Sequence, residues 1–193
     1  MNNLNLALQF ASKCHQGQTR ISGEEYIRHP IRVMTRLKAL EMPDELLITA
    51  LLHDTIEDCG LSKEDISENF GEYISKMVGY LTKPEKGTVH ERLEAYYRDL
   101  AFISVAHPEI LLIKICDQLD NIDSFSVFKL EKRERKLREI SEISLPLYRK
   151  VLSQNLSPEI HSAFINFISE LEEAVADGFY DLKEAKIHAL QTA

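Results

Sequence analysis

The sequence predicts an all-α protein, a single helical bundle of about eight to ten helices. Three observations carry that expectation. Apolar residues recur at helical spacing in nearly every segment. No apolar/polar alternation persists, and no Asn-Gly hairpin signal separates two such runs. The 7 glycines and 6 prolines fall mostly at the proposed boundaries, which leaves the helical segments intact.

The elements follow in order. "LNLALQFASKCH" places Leu4, Leu6, Leu8, Phe10 and Ala11 around one apolar side. "PIRVMTRLKALE" opens on Pro30, a favourable first helical residue, and the proline holds the preceding His29 extended. "PDELLITALLHDTIEDC" begins with Pro43, Asp44 and Glu45, and Gly60 closes it. Ser62 stands three residues before Asp65, an imperfect capping box. Helical patterns follow near 72–82, 88–105 and 108–122. Another covers 129–153, bent at Pro146, then one at 158–176 and a short one at 181–190. No internal repeat or low-complexity linker interrupts them, so 1–193 reads as one domain. Its segment 157–193 serves as C-terminal packing helices.

Composition narrows the function classes. Hydrophobic residues make up 44% of the 193, enough for a core, and no apolar run approaches a membrane span. The N-terminus lacks the basic start and apolar stretch of a signal peptide, so the expected location is the cytoplasm. Three cysteines without a C-x-x-C pair argue against a disulfide framework or zinc ribbon, and read as small buried hydrophobes. A net charge of −8 argues against a nucleic-acid-binding surface, but not against one small phosphorylated ligand. The run "EKRERKLRE" reads as a solvated face with pairs such as Glu131–Arg135 and Glu134–Arg138.

Three segments carry possible chemistry. In "ALLHDTIEDC", His53 and Glu57 are four apart, as are Asp54 and Asp58, so each pair stacks on neighbouring turns. A carboxylate cluster repels itself unless a proton or cation neutralises it. The competing reading is a solvated helix end, but acids there oppose the helix dipole. In "EILLIKICDQLDNIDS", an apolar run breaks at Asp117, and Asp117, Asn121 and Ser124 fall at i, i+4, i+7. An acid on a core helix needs a partner, either an arginine or a metal. In "HQGQTRISGEEYIRHP", His29 stands at the start of a helix. Together, His29, His53, Asp54 and Asp117 offer nitrogen and oxygen donors without thiolate. That set suits Mn²⁺, Fe²⁺, Co²⁺ or Zn²⁺ better than a structural cysteine site.

"HQGQTRISGEEYIRHP", "ALLHDTIEDC" and "LIKICDQLDNI" resemble, in order and spacing, the three hydrolase motifs of the RelA/SpoT homologues, within the HD-domain phosphohydrolases. The resemblance covers roughly residues 3–150, and a chain of this length looks like the stand-alone small alarmone hydrolases. It implies a metal-dependent 3′-pyrophosphohydrolase acting on (p)ppGpp to give GDP or GTP. The ion, usually Mn²⁺, would be held by His29, His53, Asp54 and Asp117. Glu57 and Asp58 would position or activate the attacking water. Arg20 would pack on the guanine base, and Asn121 and Ser124 would contact the sugar. Lys83, Lys86, Arg92, Arg98 and the 131–138 run are candidates for the 5′-phosphates. One departure is Ile21, where many members of the family carry Lys. It leaves open an adenine alarmone or NADPH as substrate. A catalytically silent nucleotide-binding module is the third reading. The presence of all four presumed ligands and both acids speaks against it.

Overall fold

A computed structural model describes residues 3–191. Among them the chain forms eleven α-helical segments, with a single isolated bridge, Thr19 to Glu25, as its extended pairing. Two of these segments join through a π-helical turn at 140–144 and two more are separated only by a break at 53–54, which leaves nine helical rods. The all-α expectation holds. Among the described residues no helix is long and apolar enough to cross a membrane. The fold separates into two compact units, one ending at Asp117 and the other beginning at Gln118.

The first unit is built on α1 (Asn3–Cys14), α2 (Arg28–Lys38), α3 (Asp44–Leu52), α4 (Thr55–Cys59), α5 (Lys63–Phe70), α6 (Glu72–Leu81) and α7 (Val89–Ile103). Helix α8 (Ile110–Ile122) supplies its last residues. At its centre lies α3, whose residues Leu46 to Leu52 are all buried against α1, α2 and α6. Full burial of a Leu or Ile side chain is worth about 1.5–3 kcal/mol. A helix apolar all round is therefore pinned on every side, and whatever its C-terminus carries is fixed in place.

Several local details depart from the sequence reading. On α1 the buried residues are Ala7 and Ala11, with Leu4, Leu8 and Phe10 packed beside them, whereas Leu6 faces outward at 37% exposure. Helix α2 starts at Arg28 rather than Pro30, so His29 lies in its first turn and is not extended. The cause is a turn that winds into the helix: the Arg28 and His29 amides donate to the Glu25 and Tyr26 carbonyls. Pro30 is tolerated there because first-turn amides need no intrahelical acceptor. Ser62 and Asp65 form a complete capping box, and so do Thr88 and Glu91.

The second unit contains α9 (Leu130–Glu139), α10 (Leu145–Val151) and α11 (Pro158–Gln191). The expected bend near Pro146 is a π-helical turn, Ile140–Ser144, that joins α9 to α10. A π-turn frees the backbone group that proline would otherwise block. The expected break after residue 176 is absent, and α11 continues to Gln191. Gly178 explains this: a Cβ there would lie 2.7 Å from Leu137 Cδ2, so the glycine serves close packing, not termination. The predicted Glu134–Arg138 pair forms, at 3.3 Å.

Candidate metal centre

The helix carrying "HDTIED" does not run straight. It breaks at His53–Asp54, where Asp54 adopts φ −99°, ψ −2°, and resumes as the five-residue α4. Side chains take up the carbonyls at the break: Thr55 Oγ1 donates to the Leu52 carbonyl, and His53 Nδ1 lies 2.7 Å from the Ala50 carbonyl. A carbonyl only accepts, so Nδ1 carries the proton and Nε2 presents a bare lone pair. That nitrogen is fully buried and has no hydrogen-bond partner. Its nearest polar neighbours are carboxylate oxygens: Asp54 Oδ2 at 3.2 Å and Asp117 Oδ1 at 3.8 Å.

His29 meets the same two oxygens. Its Nε2 is 3.5 Å from Asp54 Oδ2 and 3.2 Å from Asp117 Oδ1. Donor atoms of His29, His53 and Asp54 all lie within 4.8 Å of one another. The two rings stand 5.2 Å apart at 64°. Both histidines and Asp117 are buried. The four residues predicted as ligands, from α2, α3, the break and α8, thus converge. The other oxygen of Asp117 accepts from Lys114 Nζ at 2.6 Å. The arginine expected as the rival partner of this acid is replaced by a lysine, which takes one oxygen while the other faces the histidines.

A lone pair facing carboxylate oxygens at these distances is repulsive unless a proton or cation stands between them. In the metal-free protein the proton does so. Burial alone would lower the His53 pKa, yet Asp54 and Asp117 outweigh it and raise it to about 9. Burial presses both carboxylates upward, but the imidazoles, with Lys114 at Asp117, hold them well below the usual range. Two imidazole nitrogens and two carboxylate oxygens, with one His fixed through Nδ1 by a backbone carbonyl, are the donor set of a divalent-metal site. The residues fit such an ion.

The predicted catalytic acids lie on α4, at the exposed edge of the cluster. Glu57 contacts Lys83, with Oε1 3.4 Å from Nζ and Oε2 accepting from the Lys83 amide at 3.4 Å. Partial desolvation, Asp54 and Glu57 push the Asp58 pKa up against a lowering hydrogen bond from Tyr26. Lys83 and Lys114 both lie over the Tyr96 ring, at 5.4 and 5.5 Å. The buried Tyr96 hydroxyl has no partner.

Arg20 sits in the loop between α1 and α2, in a turn where its amide donates to the Glu24 carbonyl and Gly23, at φ +87°, donates back. Asn121 lies one turn beyond Asp117 on α8. Ser124 does not share that helical face, because α8 ends at Ile122 and the chain turns, with the Ser124 amide donating to the Asn121 carbonyl.

Two residues in contact with this centre escaped the sequence reading. Tyr26 Oη lies 2.8 Å from Asp54 Oδ2 and 2.6 Å from Asp58 Oδ2, with its one proton shared between the two carboxylates. Lys114 was visible only as an interruption in an apolar run. Its spacing to Asp117, i to i+3 on a buried helix, was the available signal. The cysteines remain free, with Cys116 buried and Cys59 Sγ 3.4 Å from His15 Nδ1.

With a buried His/Asp cluster on an all-helical scaffold, the class follows. The chain belongs to the HD-domain family, whose profile matches residues 7–151. It is 40% identical over 114 residues to the guanosine-3′,5′-bis(diphosphate) 3′-pyrophosphohydrolase of Aquifex aeolicus, covering 59% of this chain and 16% of that protein. It is 35% identical over 118 residues to the bifunctional (p)ppGpp synthase/hydrolase SpoT of Escherichia coli K12, covering 60% of this chain and 17% of that one. The match thus spans about a sixth of these relatives' length. A solved structure described as a metazoan ortholog of SpoT that hydrolyzes ppGpp aligns with a TM-score of 0.67 at 24% identity. It covers 92% of this chain and 96% of its own, and shows the shared fold.

Proposed function

We propose that the chain is a divalent-metal-dependent 3′-pyrophosphohydrolase acting on guanosine-3′,5′-bis(diphosphate), with Mn²⁺ as the ion. The observation that carries this reading is the buried His53 Nε2 lone pair set against Asp54 and Asp117, an arrangement that calls for a cation. The names of the curated relatives supply the substrate class. His29, His53, Asp54 and Asp117 would hold the ion. A divalent ion bound there supplies Lewis-acid stabilisation of phosphoryl charge and acidifies water.

The remaining work falls to the protein's own groups. Asp58, with its raised affinity for a proton and its tie to Asp54 through Tyr26, suits the general base; Glu57 is the alternative. Water oxygen would join the departing pyrophosphate, its proton would pass to the carboxylate, and the ribose 3′ oxygen would take a proton as its bond to phosphorus breaks. Lys83, beside Glu57, and Lys114, beside Asp117, bring two ammonium groups to the cluster and suit the phosphate oxygens. In this reading Arg20 stacks on the base, while Asn121 and Ser124 orient the sugar.

A second reading rests on Ile21, which is 63% exposed beside Arg20 and offers no charge to a guanine nucleotide. It takes an adenine alarmone or the 2′-phosphate of NADPH as substrate. Product analysis separates the two. Metal-stripped protein reloaded with Mn²⁺ should convert ppGpp to GDP and pyrophosphate faster than it turns over pppApp or NADPH. Intact ppGpp alongside rapid turnover of either competitor would replace the first reading with the second.

A further inference from the structure

Tyr26 belongs to the loop before α2, and its hydroxyl sits between two carboxylates of different elements: Asp54 Oδ2 at the helix break and Asp58 Oδ2 on α4. The ring is fixed on two sides. It stacks on His15 at 4.7 Å and 20°, and meets His29 edge-on at 5.9 Å and 80°. His15 is buried, and its Nδ1 lies 2.9 Å from Gln18 Oε1. The Gln18 amide nitrogen in turn donates to the Asp58 carbonyl. The Tyr26 amide donates to the Gln18 carbonyl. Ring, loop and α4 are thus tied at both main-chain and side-chain level.

We propose that Tyr26 is a positioning residue that aims the Asp54 carboxylate at the ion and holds Asp58 in register with it. This rests on the reading of the cluster as a divalent-metal site. An aspartate carboxylate turns about two bonds, and one hydroxyl 2.8 Å from Asp54 and 2.6 Å from Asp58, sharing its single proton between them, restrains the pair together. Partners that orient metal ligands typically change metal affinity or activity by about 10–100-fold when removed. The Tyr26 hydroxyl links a presumed ligand to a presumed base, so its loss should weaken both functions together.

The test is Tyr26→Phe, which keeps the ring and both aromatic contacts. Three readouts are needed. Mn²⁺ is titrated directly into metal-stripped protein without substrate, the metal-free protein is melted, and ppGpp hydrolysis is measured at saturating Mn²⁺. The expected result is an Mn²⁺ affinity about tenfold or more weaker, with the metal-free melting curve close to wild type. At saturating Mn²⁺, kcat should fall by a similar factor with KM for ppGpp within about twofold. Affinity and kcat both within twofold of wild type would overturn the proposal. So would a collapse of the metal-free fold, which would assign the hydroxyl to the loop rather than to the ligands. A wild type that binds Mn²⁺ but leaves ppGpp intact would remove the substrate assignment alone, since the titration still decides Tyr26. A wild type that binds no divalent ion would overturn both.

Discussion

Asp117 and Gln118 are consecutive residues of α8, both buried, and they solve the problem of a buried polar side chain in opposite ways. Gln118 is answered on both ends: it accepts from the Tyr148 hydroxyl at 2.8 Å and donates to Ser144 Oγ at 2.8 Å. Here donor meets acceptor at both contacts, within one unit. Asp117 places one oxygen 3.2 Å from His29 Nε2 and 3.8 Å from the unpartnered His53 Nε2, while its other oxygen accepts from Lys114. A closed buried network fixes a core; one in which acceptors face acceptors is a socket for a cation.

The strongest way to break that contrast is to remove a carboxylate from the socket. Asp54→Ala should abolish Mn²⁺ binding and metal-dependent hydrolysis while the helical circular dichroism spectrum persists. Equal hydrolysis by variant and wild type would erase the distinction. Next in size is Asp58→Asn, which keeps the ligands and removes the proposed base. It should lower kcat by about 10²–10⁴-fold, the usual worth of general-base help, while direct titration shows Mn²⁺ affinity changed much less.

A smaller effect concerns pH. In the metal-free protein a proton occupies the place of the ion on His53, whose pKa is raised to about 9. Below that pH, Mn²⁺ must displace the proton, so affinity should rise by about tenfold per pH unit and level off above it. Stability runs the other way. Because the folded-state pKa exceeds the ordinary value of 6.5, His53 stabilises the metal-free fold fully below pH 6.5, and this stabilisation is lost as pH rises through about 9. Asp54 and Asp117, held low, add stability present above the ordinary carboxylate range and lost on acidification. Melting curves with and without Mn²⁺ across this range check both signs. The smallest effect belongs to the closed network. Tyr148→Phe leaves the Gln118 carbonyl oxygen one donor short and should cost about 1–3 kcal/mol in denaturant unfolding, with Mn²⁺ affinity unchanged.

Much of this was legible in the sequence, for physical reasons that can be named. Helical period and the absence of strand alternation are local signals, and they placed α3 and α8. The ionisable residues in "HDTIED" and at Asp117 stood out because they interrupt apolar runs. What stayed hidden depends on chain segments meeting. The break at His53–Asp54 is stabilised by Thr55 and His53 side chains reaching freed carbonyls, which no period reveals. Tyr26 reads as an ordinary loop aromatic until its hydroxyl is seen between Asp54 and Asp58. His29 was expected to be extended by Pro30, but a turn one step earlier winds it into α2. A break was expected between 176 and 181, but Gly178 allows α11 to pass close to Leu137.

The central claim is that four side chains from separate elements hold one divalent ion. Metal stoichiometry in metal-stripped protein after exposure to Mn²⁺, read by native mass spectrometry, tests it most directly. One bound ion per wild-type chain, with none retained by His53→Ala or Asp117→Ala, is the predicted result. A wild type without metal, or variants that keep the ion undiminished, would contradict the account.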